Sequence, residues 1–143
     1  MRKSIILIVT GVLGMGSEAI KAMIVDDDAH VRLAVRTTLS DTGFEVTAAD
    51  SGKECIDLLK KGFSGVLLLD IMMPEMDGWD TIRAILDNGL EDRVVISMLT
   101  AKNIPDSKMI GLQEYVIDYL TKPFDPDELI ERTKYFASFL PQK

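Results

Sequence analysis

Val66-Leu67-Leu68-Leu69-Asp70-Ile71-Met72-Met73-Pro74-Glu75-Met76-Asp77-Gly78 is the stretch on which the fold turns. Its unbroken apolar run, closed by one acid and then by a turn bearing Pro and Gly, reads as a strand covered on both faces that carries a carboxylate at its end. Outward on the N-terminal side, Ala22 to Val25 is a second such run and ends in Asp26-Asp27-Asp28; on the C-terminal side, Val94 to Leu99 is a third and ends in Thr100. Phe44 to Ala49 and Val116 to Leu120 are more mixed, which places at least one of them at a sheet edge. From Lys21 onward these runs alternate with helical patterns in five pairs, the signature of βαβ units. The fold class expected is therefore α/β, a doubly wound five-stranded parallel sheet.

The connecting helices carry boundary signals. Val31, Ala34, Val35, Thr38 and Leu39 repeat at helical spacing, and Gly43 stands where that helix stops. Ser51-Gly52-Lys53-Glu54 reads as a capping box, Ser51 and Glu54 satisfying each other's backbone donors, before Cys55, Leu58 and Leu59 on one face; Gly62 ends this second helix. A third is expected from Trp79 to Asp87, with Ile82, Ile85 and Leu86 inward and Asn88-Gly89 as its stop. A fourth is expected around Pro105 to Glu114. Asp125-Pro126-Asp127-Glu128 gives the fifth a cap, a first-turn proline and acids that suit the helix dipole, with Leu129, Thr133, Phe136 and Leu140 on its buried face. The chain ends just after it, and no second domain is expected to follow.

The 143 residues fit one domain with a real core, and 47% hydrophobic with 27% charged residues is the balance of a globular protein. A net charge of -7 offers no basic stripe to a phosphate backbone, so direct nucleic-acid binding lacks its main electrostatic term; a protein partner or a cation fits better. The lone Cys55 excludes an internal disulfide and reads as core. Residues 1–20 read as an N-terminal extension. Basic Met1 to Lys3, apolar Ile5 to Val9 and Gly-rich Thr10 to Gly16 superficially resemble a secretory signal, yet the apolar stretch is too short to span a bilayer, so no membrane association is expected. An upstream start codon or a cloning artefact accounts for the segment better. The glycines of Thr10 to Gly16 lack G-x-G-x-x-G spacing and a crossover helix, which argues against a dinucleotide loop.

In a doubly wound sheet the crevice lies beyond the carboxyl ends of the strands, where strand order reverses. Asp26-Asp27-Asp28, Asp70, Thr100 and Lys122-Pro123 all fall on that rim. Carboxylates about 4 Å apart repel by roughly 4 kcal/mol per pair at an effective dielectric near 20, so a positive group must neutralise them. Mg²⁺, bound by one or two carboxylates, waters and a phosphate, fits; calcium does not, for want of EF-hand spacing. One carboxylate could then attack phosphorus and form an acyl phosphate, with Lys122 and the metal on the phosphoryl oxygens and Thr100 donating a hydroxyl.

Met23-Ile24-Val25-Asp26-Asp27-Asp28, Val66 to Gly78, Leu99-Thr100-Ala101 and Asp118-Tyr119-Leu120-Thr121-Lys122-Pro123-Phe124 together resemble the receiver domain of two-component response regulators, in the stand-alone form typified by chemotaxis regulators. The resemblance covers about Lys21 to Leu140 and makes residues 21–143 the receiver domain. It implies a flavodoxin-like (βα)5 fold with strand order 2-1-3-4-5. It implies a phosphoprotein whose acceptor is Asp70 and whose Mg²⁺ is held by Asp27, by Asp26 partly through water, by Asp70 and by the Met72 carbonyl. Lys122 would pair with the phosphoryl group, Lys122-Pro123 would be cis, Thr100 would move toward the phosphate, and Tyr119 would turn inward as the switch aromatic. The partners implied are a sensor histidine kinase as donor and a downstream protein on the face of helix 4, strand 5 and helix 5, with a phosphorylation-dependent dimer left open and the cytoplasm as location. Two departures stand out: Tyr115-Val116-Ile117 precede Asp118-Tyr119 where receivers often carry Gly-Ala, and the N-terminal extension has no family role.

Plainer readings compete at several positions. Asp28 reads as a helix cap ahead of a metal ligand, His30 as a surface residue, Met73 as loop packing and Trp79 as helix packing close enough to the acids to report Mg²⁺ by fluorescence. Met72 and Lys102 are candidates for tuning dephosphorylation. Two other functions compete with the phosphorylation-dependent switch that the resemblance implies. A haloacid-dehalogenase-type hydrolase wants a second aspartate where Met72 stands, and a cap domain; a binding module that takes no phosphate would have no use for the acidic site.

Overall fold

The structure is a computed structural model that describes residues 19–101 and 107–141. Five parallel strands, β1 (Ile20–Val25), β2 (Phe44–Ala49), β3 (Gly65–Asp70), β4 (Val94–Thr100) and β5 (Val116–Thr121), form one sheet in the order β2-β1-β3-β4-β5. Both mixed strands are edges, and every residue of the all-apolar β3 run is buried. This is the flavodoxin-like fold.

Alternation along each strand splits the core in two. Met23, Val25, Leu67, Leu69 and Met98 face one side, against Cys55, Ile56 and Leu59 of α2 (Gly52–Lys60) and Trp79, Ile82 and Ile85 of α3 (Gly78–Asp87). Ala22, Ile24, Val66, Leu68 and Leu99 face the other, against Val35 and Leu39 of α1 (Ala29–Ser40) and Leu129 and Phe136 of α4 (Pro126–Ala137). Helices cover both faces of the sheet, so the crevice beyond the carboxyl ends of the strands is where polar groups from several strands can meet.

Two local expectations are corrected. The fourth predicted helix is not α-helical among the described residues: Ser107–Met109 and Gln113–Tyr115 are single 3-10 turns, joined by a turn in which Leu112 N–H donates to Met109 O at 2.9 Å, and the second is closed by Tyr115 N–H to Leu112 O at 3.0 Å. Gly111 between them sits at φ +82°, a left-handed step that interrupts a right-handed helix. The described fold thus has four α-helices, not the five of an ideal (βα)5. Second, Ser51 caps α2 through Glu54 N–H at 3.1 Å, but the Glu54 carboxylate reaches one residue further back, to Asp50 N–H at 2.7 Å, so the box is not reciprocal. The first helix stands as expected, α1 burying Val35 and Leu39 against the sheet while Ala34 is exposed. A reciprocal capping box does occur, at α3: Asp77 accepts from Asp80 N–H at 2.8 Å and Asp80 accepts from Asp77 N–H at 3.0 Å. Lys108 Nζ pairs with both acids, at 3.0 and 3.4 Å, and ties the 3-10 segment to the α3 cap.

At β5 the pairing with β4 slips between Ile96 and Ser97, from Val116 to Asp118, and skips Ile117. The extra apolar residues before Asp118-Tyr119 are thus taken up by an irregularity at the edge strand. The Thr10–Gly16 segment, Lys102 and Pro105 lie outside the described residues.

Candidate functional site

Strand order reverses between β1 and β3, and the acids converge where those two strands end. Asp26 follows β1 and is 1% exposed; Asp70 closes β3 and is 4% exposed; Asp27 is exposed. Carboxylate oxygens of Asp26, Asp27 and Asp70 all lie within 4.8 Å of one another. These are hard oxygen donors, two held still by burial and one open to solvent, and they fit an oxygen-loving divalent cation such as Mg²⁺. Asp28 is not in the set. Its side chain accepts from His30 N–H at 2.8 Å and caps α1, while His30 itself is exposed.

β5 brings the counter-charge. After Thr121 the Lys122–Pro123 peptide is cis, and Lys122 N–H donates to Thr100 O at 2.7 Å. The Lys122 ammonium lies 2.6 Å from Asp26 Oδ2 and 3.3 Å from Asp70 Oδ1. Asp26 is thereby the better neutralised acid. Its Oδ1 also accepts from Asp28 N–H at 2.9 Å, and its backbone carbonyl accepts from Arg32 Nη1 at 2.8 Å. Asp70 has weaker support, Met72 N–H and Lys122 both at 3.3 Å from Oδ1.

The electrostatics follow from that asymmetry. Burial first, then the neighbouring Asp26 charge, pushes Asp70 up to about 6, with Lys122 pulling the other way. For Lys122 burial works against the charge, but the bond to Asp26 and the charges of both acids outweigh it, so its pKa is raised and it stays an ammonium. Two anions and one cation are packed into one low-dielectric corner, which leaves an uncompensated negative charge that a bound cation would relieve.

The other predicted residues fall around this corner. Thr100 ends β4 and is buried. Met72 is 63% exposed, on the turn that Gly78 N–H closes to Ile71 O at 2.8 Å. Tyr119 is half-buried on β5 and packs against the α2/α3 side of the core, where Met73 and Trp79 are buried. Sequence reasoning missed Arg32, since an arginine in the first turns of an amphipathic helix looks like any solvated charge, and its reach back to the strand end is visible only in three dimensions.

Residues 22–134 match the family model of the response regulator receiver domain. Among curated relatives, Response regulator MprA of Mycolicibacterium vanbaalenii is 36% identical over 115 residues, 80% of this chain and 49% of that protein. Response regulator MprA of Mycobacterium bovis is 35% identical over 116 residues, 81% of this chain and 50% of that protein. The chain spans about half the length of these relatives. Among solved structures, a CheY-like response regulator receiver domain protein from Methanospirillum hungatei is 72% identical, with TM-score 0.81 over 84% of this chain and 95% of that one. The Vibrio cholerae chemotaxis protein CheY4 is 30% identical, with TM-score 0.74 over 82% and 98%.

Proposed function

The chain belongs to the response regulator receiver domain family, signalling switches rather than conventional enzymes, and on that premise we propose that Asp70 accepts a phosphoryl group from a phosphohistidine of a sensor histidine kinase. The observation that carries this reading is the cluster itself, acids from two strand ends with the Lys122 ammonium between Asp26 and Asp70. Asp26, Asp27 and Asp70, with the Met72 carbonyl, would hold Mg²⁺, which when bound supplies positive charge against the carboxylates and the phosphoryl oxygens.

A carboxylate oxygen of Asp70 attacks phosphorus; the P–N bond to the donor imidazole breaks, a P–O bond forms, and the imidazole leaves neutral after taking up a proton. With a pKa of about 6, Asp70 is ionised at neutral pH, and its weak local support leaves the anion available to react. Lys122, already 3.3 Å from Asp70, supplies charge to the transferred oxygens, and Thr100 donates its hydroxyl to another. Phosphate on Asp70 then favours a conformation in which Thr100 has shifted and Tyr119 has turned inward. The surface so altered is the 107–115 segment with β5 and α4, where an unidentified downstream protein docks, or a second copy of the chain in a phosphorylation-dependent dimer. Met72 and Lys102 set the lifetime of the acyl phosphate. The reaction belongs to the cytoplasm, where the kinase's ATP is, and residues 21–143 suffice for it.

Incubation with a small phosphodonor and Mg²⁺, followed by intact mass, tests the proposal. One retained phosphate on the wild type and none on Asp70→Asn is the expected result. Donor consumed in many turnovers with no phosphate retained would make the chain a hydrolase, and no change in mass or donor would make it a binding module.

A further inference from the structure

Asp27 is the exposed member of the acidic cluster, and its carboxylate accepts no hydrogen bond from the described residues. Its position is therefore inherited from the backbone on either side. Asp26 N–H is bonded to Ala49 O at 3.1 Å, Asp28 N–H to Asp26 Oδ1 at 2.9 Å, and Asp26 O to Arg32 Nη1 at 2.8 Å. Arg32 is in turn fixed to the same turn from its far side, its own N–H donating to Asp28 O at 3.1 Å. The guanidinium thus bridges the end of β1 to the second turn of α1 and closes a ring around Asp27.

We infer that Arg32 is a positioning residue for the acidic turn, acting on cation affinity through the Asp26 carbonyl. The inference rests on the Mg²⁺ reading proposed above. Two effects of the Arg32 side chain carry opposite signs. As a fixed positive charge beside the cluster, Arg32 repels a divalent cation, so its removal should tighten binding. As the clamp on the turn, it holds Asp27 in register with Asp26 and Asp70, so its removal should loosen binding. Groups that orient ligands from behind typically change metal affinity by about 10- to 100-fold when removed, and we take this positional effect to exceed the repulsion from the Arg32 charge, which is partly open to solvent and already engaged at the Asp26 carbonyl. The clamp therefore wins.

The test is titration of the full chain with MgCl2 alone, read by calorimetry, with no phosphodonor present. Arg32→Met keeps the stem and loses donor and charge, and its affinity should fall about tenfold. Arg32→Lys keeps a charged donor of similar length and should recover part of the loss. Thermal unfolding in EDTA shows that each variant is folded; should Arg32→Met not fold, Arg32→Gln takes its place with the same expected direction. A folded, uncharged variant that binds Mg²⁺ as tightly as the wild type, or more tightly, overturns the inference while leaving the metal site intact. A wild-type chain that binds no Mg²⁺ overturns both.

Discussion

Asp70 shows how one side chain can be useful because it is poorly settled. Without a divalent cation its pKa rises from 3.8 to about 6, through burial first and the Asp26 charge second. The folded chain thus keeps a proton that the unfolded chain has released between those values. Its contribution to stability falls as pH rises through that window and stays low above it. At neutral pH the charged Asp70 costs the folded state at most about 3 kcal/mol. Asp70→Asn should therefore stabilise the metal-free protein at about pH 7 by some part of that, and by less at about pH 5. Urea unfolding in EDTA at both values checks this, and a gain that does not shrink at the lower pH contradicts it. The acids and Lys122 were legible in the sequence because each closes or follows an apolar run, and the carboxyl ends of such runs meet on one rim of a doubly wound sheet. The Lys122 preference for Asp26 over Asp70, 2.6 Å against 3.3 Å, was not legible, since no linear signal encodes which of two acids a lysine will favour.

At the scale of elements, the turn from Asp70 into α3 is the most constrained part of the site. A Cβ on Gly78 would lie 2.6 Å from Asp70 O and 2.9 Å from Ile71 Cα, both backbone atoms that cannot step aside cheaply. Gly78→Ala should destabilise the fold by about 1–3 kcal/mol and, by moving the acceptor's own carbonyl, slow phosphorylation in the molecules that do fold. Chemical unfolding paired with the phosphorylation rate separates the two effects; wild-type values of both would contradict the packing argument. Ser51→Ala, remote from the acids, should cost about 1 kcal/mol through the lost α2 cap and leave phosphorylation unchanged. A slowed reaction in that variant would show coupling the structure does not account for. Strands were easier to read from sequence than the β4–β5 connection, because a buried apolar run has few alternatives. Between Ser107 and Tyr115, Gly111 at φ +82° decides the conformation, and a glycine alone does not announce the sign of its φ.

For the whole molecule, strand order carries the function: with β1 beside β3 and the edges given to β2 and β5, acids remote in sequence become neighbours. The family match over residues 22–134 contains every residue of that cluster together with Thr100 and Lys122. A chain begun at Ala19 should accordingly fold and take phosphate at the wild-type rate; loss of either would assign residues 1–18 a part in the domain. The sharpest test of Asp70 as phosphoacceptor is to trap the phosphorylated protein with borohydride, which reduces an acyl phosphate to the alcohol, and to map the altered residue by peptide mass. One site is expected, Asp70, labelled only when Mg²⁺ is present during phosphorylation. A label at Asp26, Asp27 or any other residue, or the same label at Asp70 without a divalent cation, would contradict it.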